Sequence, residues 1–172
     1  ITVQVVFNAG EWNTENPQLA NAAMDMLTEG AGEYDSAGLS AEQRRLAASL
    51  SSYAGLDGSA ITLSSLKKNL DESLGLLDLI ASEATFPAKE WEILQRQYRQ
   101  QLQASQQDPN SIAKNLFNQL MYQGQYAGRS TTMDDIDSIT TEQMNNWYVS
   151  NVHADNASIY VGGDTTLAEV LP

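Results

Sequence analysis

Metal and nucleophilic chemistry have little to draw on in this sequence, which holds one histidine, His153, and no cysteine. Zinc sites take about three or four ligands, mostly imidazoles and thiolates, and no second imidazole exists here to share a metal with His153. That residue stands just before Asp155-Asn156, ahead of a strand-like run, and reads as a loop histidine. Serines are plentiful, but neither a G-x-S-x-G elbow nor a cysteine supplies a poised nucleophile. Asp134, Asp135 and Asp137 form an acidic cluster without the spacing of an EF-hand loop. They read as the N-terminal cap of a short helix rather than a calcium site.

Composition narrows the partners. Nine Lys and Arg against 22 Asp and Glu give a net charge of −13, and the bases lie scattered from Arg44 to Arg129. Such a surface repels phosphate backbones, which argues against nucleic acid. It serves solubility first and the attraction of basic peptides second. There is no apolar run near eighteen residues and no basic-then-apolar leader, so the given residues show neither a membrane span nor a signal peptide. The absence of cysteine fits a reducing cytosol and a cysteine-poor periplasm alike. With 172 residues, 42% of them hydrophobic, one domain with a sizeable core is expected over 1–172. The opening on Ile1 inside a strand-like run suggests a piece of a longer protein.

The elements that must position any site follow from periodicity. Ile1–Phe7 alternates as a strand and stops at Asn8-Ala9-Gly10. Asn16-Pro17 starts a helix carrying Leu19, Ala23, Met26 and Leu27 up to Gly30. Ser40 with Gln43 makes a capping box for a helix over Ala41–Ser49. A hairpin of Ser51–Leu56 and Ser59–Leu66 turns at Asp57-Gly58, a dipeptide that tolerates positive φ. Leu70, Leu74, Leu77, Ile80 and Ala81 mark a third helix, which Pro87 separates from a longer one with Trp91, Leu94, Tyr98 and Leu102. Asp108-Pro109 opens a helix bearing Ile112, Leu116, Phe117, Leu120 and Met121 on one side, and the segment from Gly124 to Ser130 is too rich in turn formers to continue it. Thr140 with Gln143 caps a helix with Met144, Trp147 and Tyr148. Ala157–Val161 closes the chain as a strand before Gly162-Gly163. The predicted class is α+β, a mainly antiparallel sheet covered on one face by helices.

Four stretches in this order resemble the M16 (pitrilysin-like, mitochondrial-processing-peptidase-like) zinc peptidases. They are Val5-Val6-Phe7-Asn8-Ala9-Gly10, the run Leu19 to Gly30, the run Asn69 to Pro87 with its Phe86-Pro87 entry to the long helix, and Tyr126-Ala127-Gly128-Arg129 through to Tyr160-Val161-Gly162-Gly163-Asp164. The resemblance implies the LuxS/MPP-like metallohydrolase fold, with its first strand or strands lying before Ile1. Active members of that family carry His-x-x-Glu-His on a helix, two zinc ligands and a catalytic carboxylate, with a further Glu ligand on a later helix. Laid on this chain, the motif falls at Asn21, Met24 and Asp25, and the later ligand at Gln101. Two amides, a thioether and one carboxylate cannot compensate a desolvated dication.

The resemblance therefore implies an inactive domain, with no catalytic residue, metal or cofactor of its own. Zinc is expected in a homologous partner half, on the same chain or a separate subunit, and the function implied is to help bind and enclose peptide. An alternative from another class is a non-proteolytic assembly or scaffold subunit, and a third is an unrelated α+β binding domain. The Arg and Tyr that some partner halves contribute to the substrate site find no match, since Ala41 and Ala48 stand at the aligned positions with Arg44, Arg45 and Tyr53 nearby. The family binds extended peptides at a sheet edge, which points to Ser51 and Tyr53 on the hairpin, although paired core strands explain that hairpin equally well. Tyr126 and Arg129 sit in a Gly-containing loop that fits either a chamber lining or ordinary packing. The family's habits place such a protein in a bacterial periplasm or envelope.

Overall fold

The computed structural model describes residues 1–166 and residue 168. In chain order its elements are β1 (Thr2–Phe7), a 3-10 turn at Glu11–Asn13, α1 (Leu19–Met26), β2 (Gly30–Ala31), β3 (Tyr34–Asp35), α2 (Ser36–Leu46), β4 (Ser49–Ala54) and β5 (Ser59–Ser64). After these come α3 (Leu70–Ser82), α4 (Ala88–Ser105), α5 (Pro109–Met121), α6 (Met133–Asp137), α7 (Thr141–Asn151) and β6 (Ala157–Gly162). The main sheet has the order β4-β5-β1-β6 and is antiparallel at every contact. Because side chains alternate along a strand, one face presents Leu50, Ile61, Leu63, Val3 and Phe7 to the core. The other presents Ser51, Thr62, Gln4 and Tyr160 in one cross-strand row, with Tyr53 and Tyr160 exposed at 52% and 61%. The α+β class with a one-sided helical cover is thus what forms.

α1 lies against the core face, and its Ala20, Ala22 and Ala23 are fully buried. Small side chains let the helix axis approach the sheet while Met24 and Met26 fill the space beside it. α3 covers β5 with Leu76, Leu77 and Ile80, and α7 adds Met144, Trp147 and Tyr148. Between α3 and α4 the chain turns at Phe86, which holds φ at +48°, a costly conformation for a bulky side chain. It is offset by burial of the ring against Tyr148, with centroids 5.5 Å apart.

Three expectations shift. α1 begins at Leu19 rather than Pro17, yet Asn16 Oδ1 still accepts the Gln18 N–H at 2.9 Å as a cap does, while Asn16 Nδ2 donates to the Asp135 carbonyl at 2.6 Å. A residue read as a local cap thus ties α1 to α6. α2 begins at Ser36, capped by Asp35, whose carboxylate accepts the Gly38 N–H at 2.8 Å. Ser40 lies inside that helix, and the Gln43 side chain reaches forward to the Leu50 N–H.

The first hairpin strand lies two residues earlier than expected, while the second starts at Ser59 as expected and ends at Ser64. The closing pair is Gly55 and Gly58, so Leu56-Asp57 forms the tip. None of Leu56, Asp57 and Gly58 adopts a positive φ. The tip is shaped by docking instead, since the Gly55 and Leu56 carbonyls accept the N–H groups of Glu11 and Trp12 at 2.9 and 3.0 Å. Gly10 permits that approach, as a Cβ there would stand 2.4 Å from the Gly55 oxygen. The caps at Asp108 and Thr140 form as the sequence indicates, the second as a full capping box, whereas α6 is capped by Thr132, with Asp135 of the acidic cluster as the reciprocal member of its capping box. α5 buries none of its side chains, and Leu116, Phe117, Leu120 and Met121 are all more than half exposed.

Candidate functional site

Asn21 and Asp25 stand four residues apart on α1 and so share one helix face. Each is already engaged. Asn21 Nδ2 donates to Glu11 Oε1 at 2.7 Å, from the 3-10 turn that follows β1. Asp25 Oδ2 accepts the Tyr98 hydroxyl at 2.5 Å, which brings α4 against α1 across 73 residues of chain. Gln101 lies three residues further along α4, and with Gln18 and Tyr98 it lines a cavity of about 400 Å³. Met24 is fully buried, and its carbonyl accepts the Ser52 hydroxyl at 2.7 Å. The positions where the resemblance lays the metal motif are therefore drawn into one region, except that the Met24 side chain belongs to the core.

These residues do not fit zinc. An amide that donates to Glu11, a buried thioether, a carboxylate engaged by a phenol and a second amide offer one anionic ligand between them. Among the described residues, no group of three or more His, Cys, Asp and Glu could hold a metal ion.

Burial raises the Asp25 carboxyl above its ordinary value, with the Tyr98 hydrogen bond pulling it down and the Glu29 charge adding to the rise. Burial and the Asp25 charge likewise push the Tyr98 hydroxyl well up, so it stays a donor. A raised folded-state value means the native state holds the proton more tightly than the unfolded chain. The Asp25 contribution is then fully present in acid and is lost as pH climbs through the folded value. Asp25→Asn should flatten that decline, seen as a higher urea midpoint than the parent at pH 7 and a closing gap below pH 4. Tyr98→Phe should cost about 1.5–3 kcal/mol at pH 7, the range for a hydrogen bond to a charged group, and less in acid. Parallel urea curves at the two pH values check both.

The hairpin edge is resolved by its pairing. In an antiparallel ladder, alternate residues turn their N–H and C=O toward the neighbour. The Gly55–Gly58 bond and the one-to-one register place Ser49, Ser51 and Tyr53 in bonded pairs with β5. Ser52 and Ala54 thus direct their backbone groups to the free edge. The Leu50 N–H also points that way but is capped by Gln43 Oε1 at 3.0 Å. Ser51 and Tyr53 instead project side chains from the open sheet face, and the hairpin residue that reaches α1 is Ser52.

Tyr126 packs on Trp12 with ring centroids 6.5 Å apart. Arg129 Nη2 donates to Asp135 Oδ1 at 2.8 Å, and Nη1 donates to the Glu15 carbonyl. Both residues brace the turn ahead of α1, and neither comes together with Ser51 or Tyr53. Arg45 pairs with Glu42 and Glu72, each at 2.9 Å and exposed. His153 is exposed and leads into the turn before β6, as the sequence indicates.

The residues that sequence reasoning passed over here are Glu11, Tyr98 and Ser52. Tyr98 carried a usable signal, since it lies one turn before Gln101 on a helix expected to face the motif. Glu11 and Ser52 carried none, their roles arising only from contacts between elements.

The family profile described as Insulinase (Peptidase family M16) matches residues 1–135. No curated protein matches the sequence. A peptidase M16 inactive domain from Pseudomonas fluorescens superposes with a TM-score of 0.92 at 21% identity, covering 98% of this chain and 42% of that one. The periplasmic protease PqqL from Escherichia coli gives 0.87 at 16%, covering 99% and 20%. An M16-like peptidase from Alicyclobacillus acidocaldarius gives 0.82 at 17%, covering 98% and 42%. The chain spans less than half the length of each of these structures.

Proposed function

The chain belongs to peptidase family M16, and from that premise we propose that it is a non-catalytic domain of an M16-type metallopeptidase. In this reading it helps to bind and enclose peptide, while zinc chemistry takes place in a homologous partner half of the same chain or another subunit. The observation that carries the reading is the converged but ligand-poor site: α1 and α4 still bring Asn21, Asp25 and Gln101 to one region, yet these side chains serve Glu11 and Tyr98 or line a cavity. The Pseudomonas fluorescens relative, itself described as an inactive domain, supports it. A periplasmic or envelope location is part of the proposal, supported by the periplasmic Escherichia coli protease. No helix among the described residues is long and apolar enough to cross a membrane.

Peptide would add at the β4 edge through the free backbone groups of Ser52 and Ala54, a mode in which main-chain hydrogen bonds give affinity. The test is fluorescence anisotropy with an unstructured labelled peptide of about ten residues, beside calorimetric titration with zinc. Peptide binding without stoichiometric zinc uptake is expected. Ser52→Pro removes an edge donor without breaking a rung to β5, and should weaken the peptide about tenfold or more while circular dichroism shows the fold intact. Unchanged affinity in that variant would exclude the β4 edge.

An assembly role without peptide binding is the second reading, and the uncovered apolar side of α5 favours it. A folded protein that binds no peptide would select that alternative.

A further inference from the structure

The cavity that Gln101 lines lies between α4, the N-terminal half of α5 and the loop 129–131, and has a volume of about 400 Å³. Its charged residues are Lys114 and Arg129, with no Asp or Glu in the wall. That is unexpected in a chain whose acids outnumber its bases by 22 to nine. Arg129 is offset by Asp135, so the surplus positive charge is Lys114. No hydrogen bond or ion pair among the described residues engages the Lys114 ammonium, and the side chains of Gln101, Asn115 and Thr131 are likewise without partners. Leu102 adds an apolar floor.

From this arrangement we propose that the cavity binds a carboxylate, presented as the free C-terminus or an acidic side chain of a peptide. The inference rests on the peptide-binding reading and adds a chemical preference to it. A carboxylate is acceptor-only and takes several donors at once, and the wall offers an ammonium, two amide NH₂ groups and a hydroxyl. A cation would meet Lys114 unfavourably, and a neutral group would leave the ammonium without a counter-charge. Asp25 does not line the cavity, and its Oδ2 is taken by the Tyr98 hydroxyl at 2.5 Å. The volume admits a residue's methylenes along Leu102 as well as the charged head.

The experiment compares one labelled neutral decapeptide in three forms: C-terminal amide, free C-terminus, and amide with a single internal Glu. At least one carboxylate form should bind about tenfold more tightly than the neutral amide, the worth of one charge-assisted hydrogen bond. Lys114→Met, a change at an exposed position, should erase that difference. A preference for the free terminus identifies the terminal carboxylate, and a preference for the internal Glu identifies the side chain. Equal binding of all three forms overturns the carboxylate site while peptide binding stands. If none binds, the peptide reading falls and glutarate decides the cavity by itself. Saturable amide shifts at Gln101, Lys114 and Thr131 that vanish in Lys114→Met keep the site, and their absence overturns it.

Discussion

Trp91→Ala is expected to lower stability by about 3–5 kcal/mol, the range for removing a large buried aromatic side chain, with the melting temperature falling by roughly 6–20 °C. α4 is an 18-residue helix whose only buried side chains are Trp91 and Tyr98. The indole is 6% exposed, donates to the Ile139 carbonyl at 3.3 Å and meets the Tyr98 ring edge-on at 6.1 Å. The remaining α4 contacts toward α6 are polar and nearer the surface, with Gln95 donating to the Ile136 carbonyl and Arg99 pairing with Asp137. Exposed pairs of that kind contribute at most about 1 kcal/mol, and the half-buried Leu94 and Leu102 that also pack on the core replace only part of the area the indole buries. The loss should also reach the site, because Tyr98 is placed by Trp91 on one side and Asp25 on the other. Trp91→Phe, which keeps most of the apolar area, should cost far less. A urea midpoint for Trp91→Ala close to the parent's would mean that α4 is anchored elsewhere and that the account of the α1–α4 contact is wrong.

The way α4 reaches its site shows which parts of the architecture are legible in the sequence. Helices with a sustained apolar stripe, such as α3 and α7, and caps built from neighbouring residues, such as Asp108 and Thr140, are local events and can be read directly. The strand alternation over Ile1–Phe7 is equally local. What escapes is whatever one element does for another. β2 and β3 have two residues each, too few for any period. α2 is masked by Gly38, and its cap is Asp35, which accepts the Gly38 N–H, rather than the expected Ser40. The hairpin tip takes its shape from docking on Glu11 and Trp12, so its dipeptide could not announce the register. At the site, the four motif positions came from resemblance to a family, and their present partners came only from the packing of α1, α4 and the turn after β1. Function therefore lies in the contacts that sequence period leaves unwritten, here a phenol on a carboxylate and a carboxylate on an amide.

Those two contacts lead to the prediction with the widest swing. The triple variant Asn21→His, Asp25→His, Gln101→Glu should bind zinc one-to-one, with a dissociation constant at least about a hundredfold below that of the parent, as expected when two imidazoles and a carboxylate replace two amides and a single carboxylate. Histidines four residues apart on α1 would share the face that Asn21 and Asp25 share now. Glu11 already accepts a hydrogen bond from the side chain at position 21. A carboxylate there would take the outer N–H of an imidazole, the support that fixes ring orientation at zinc sites. Asp25→His also frees Tyr98, whose hydroxyl no longer has a carboxylate to hold. Calorimetry with zinc, and melting with and without the metal, would record the gain. Even so, the variant should hydrolyse no peptide, because Met24 stays fully buried where the family places its catalytic carboxylate, and a Glu at that position would need a partner the core does not offer. Failure to bind zinc would show that the motif has been laid on the wrong residues, whereas binding with hydrolysis would show that the Met24 position is not what silences this domain.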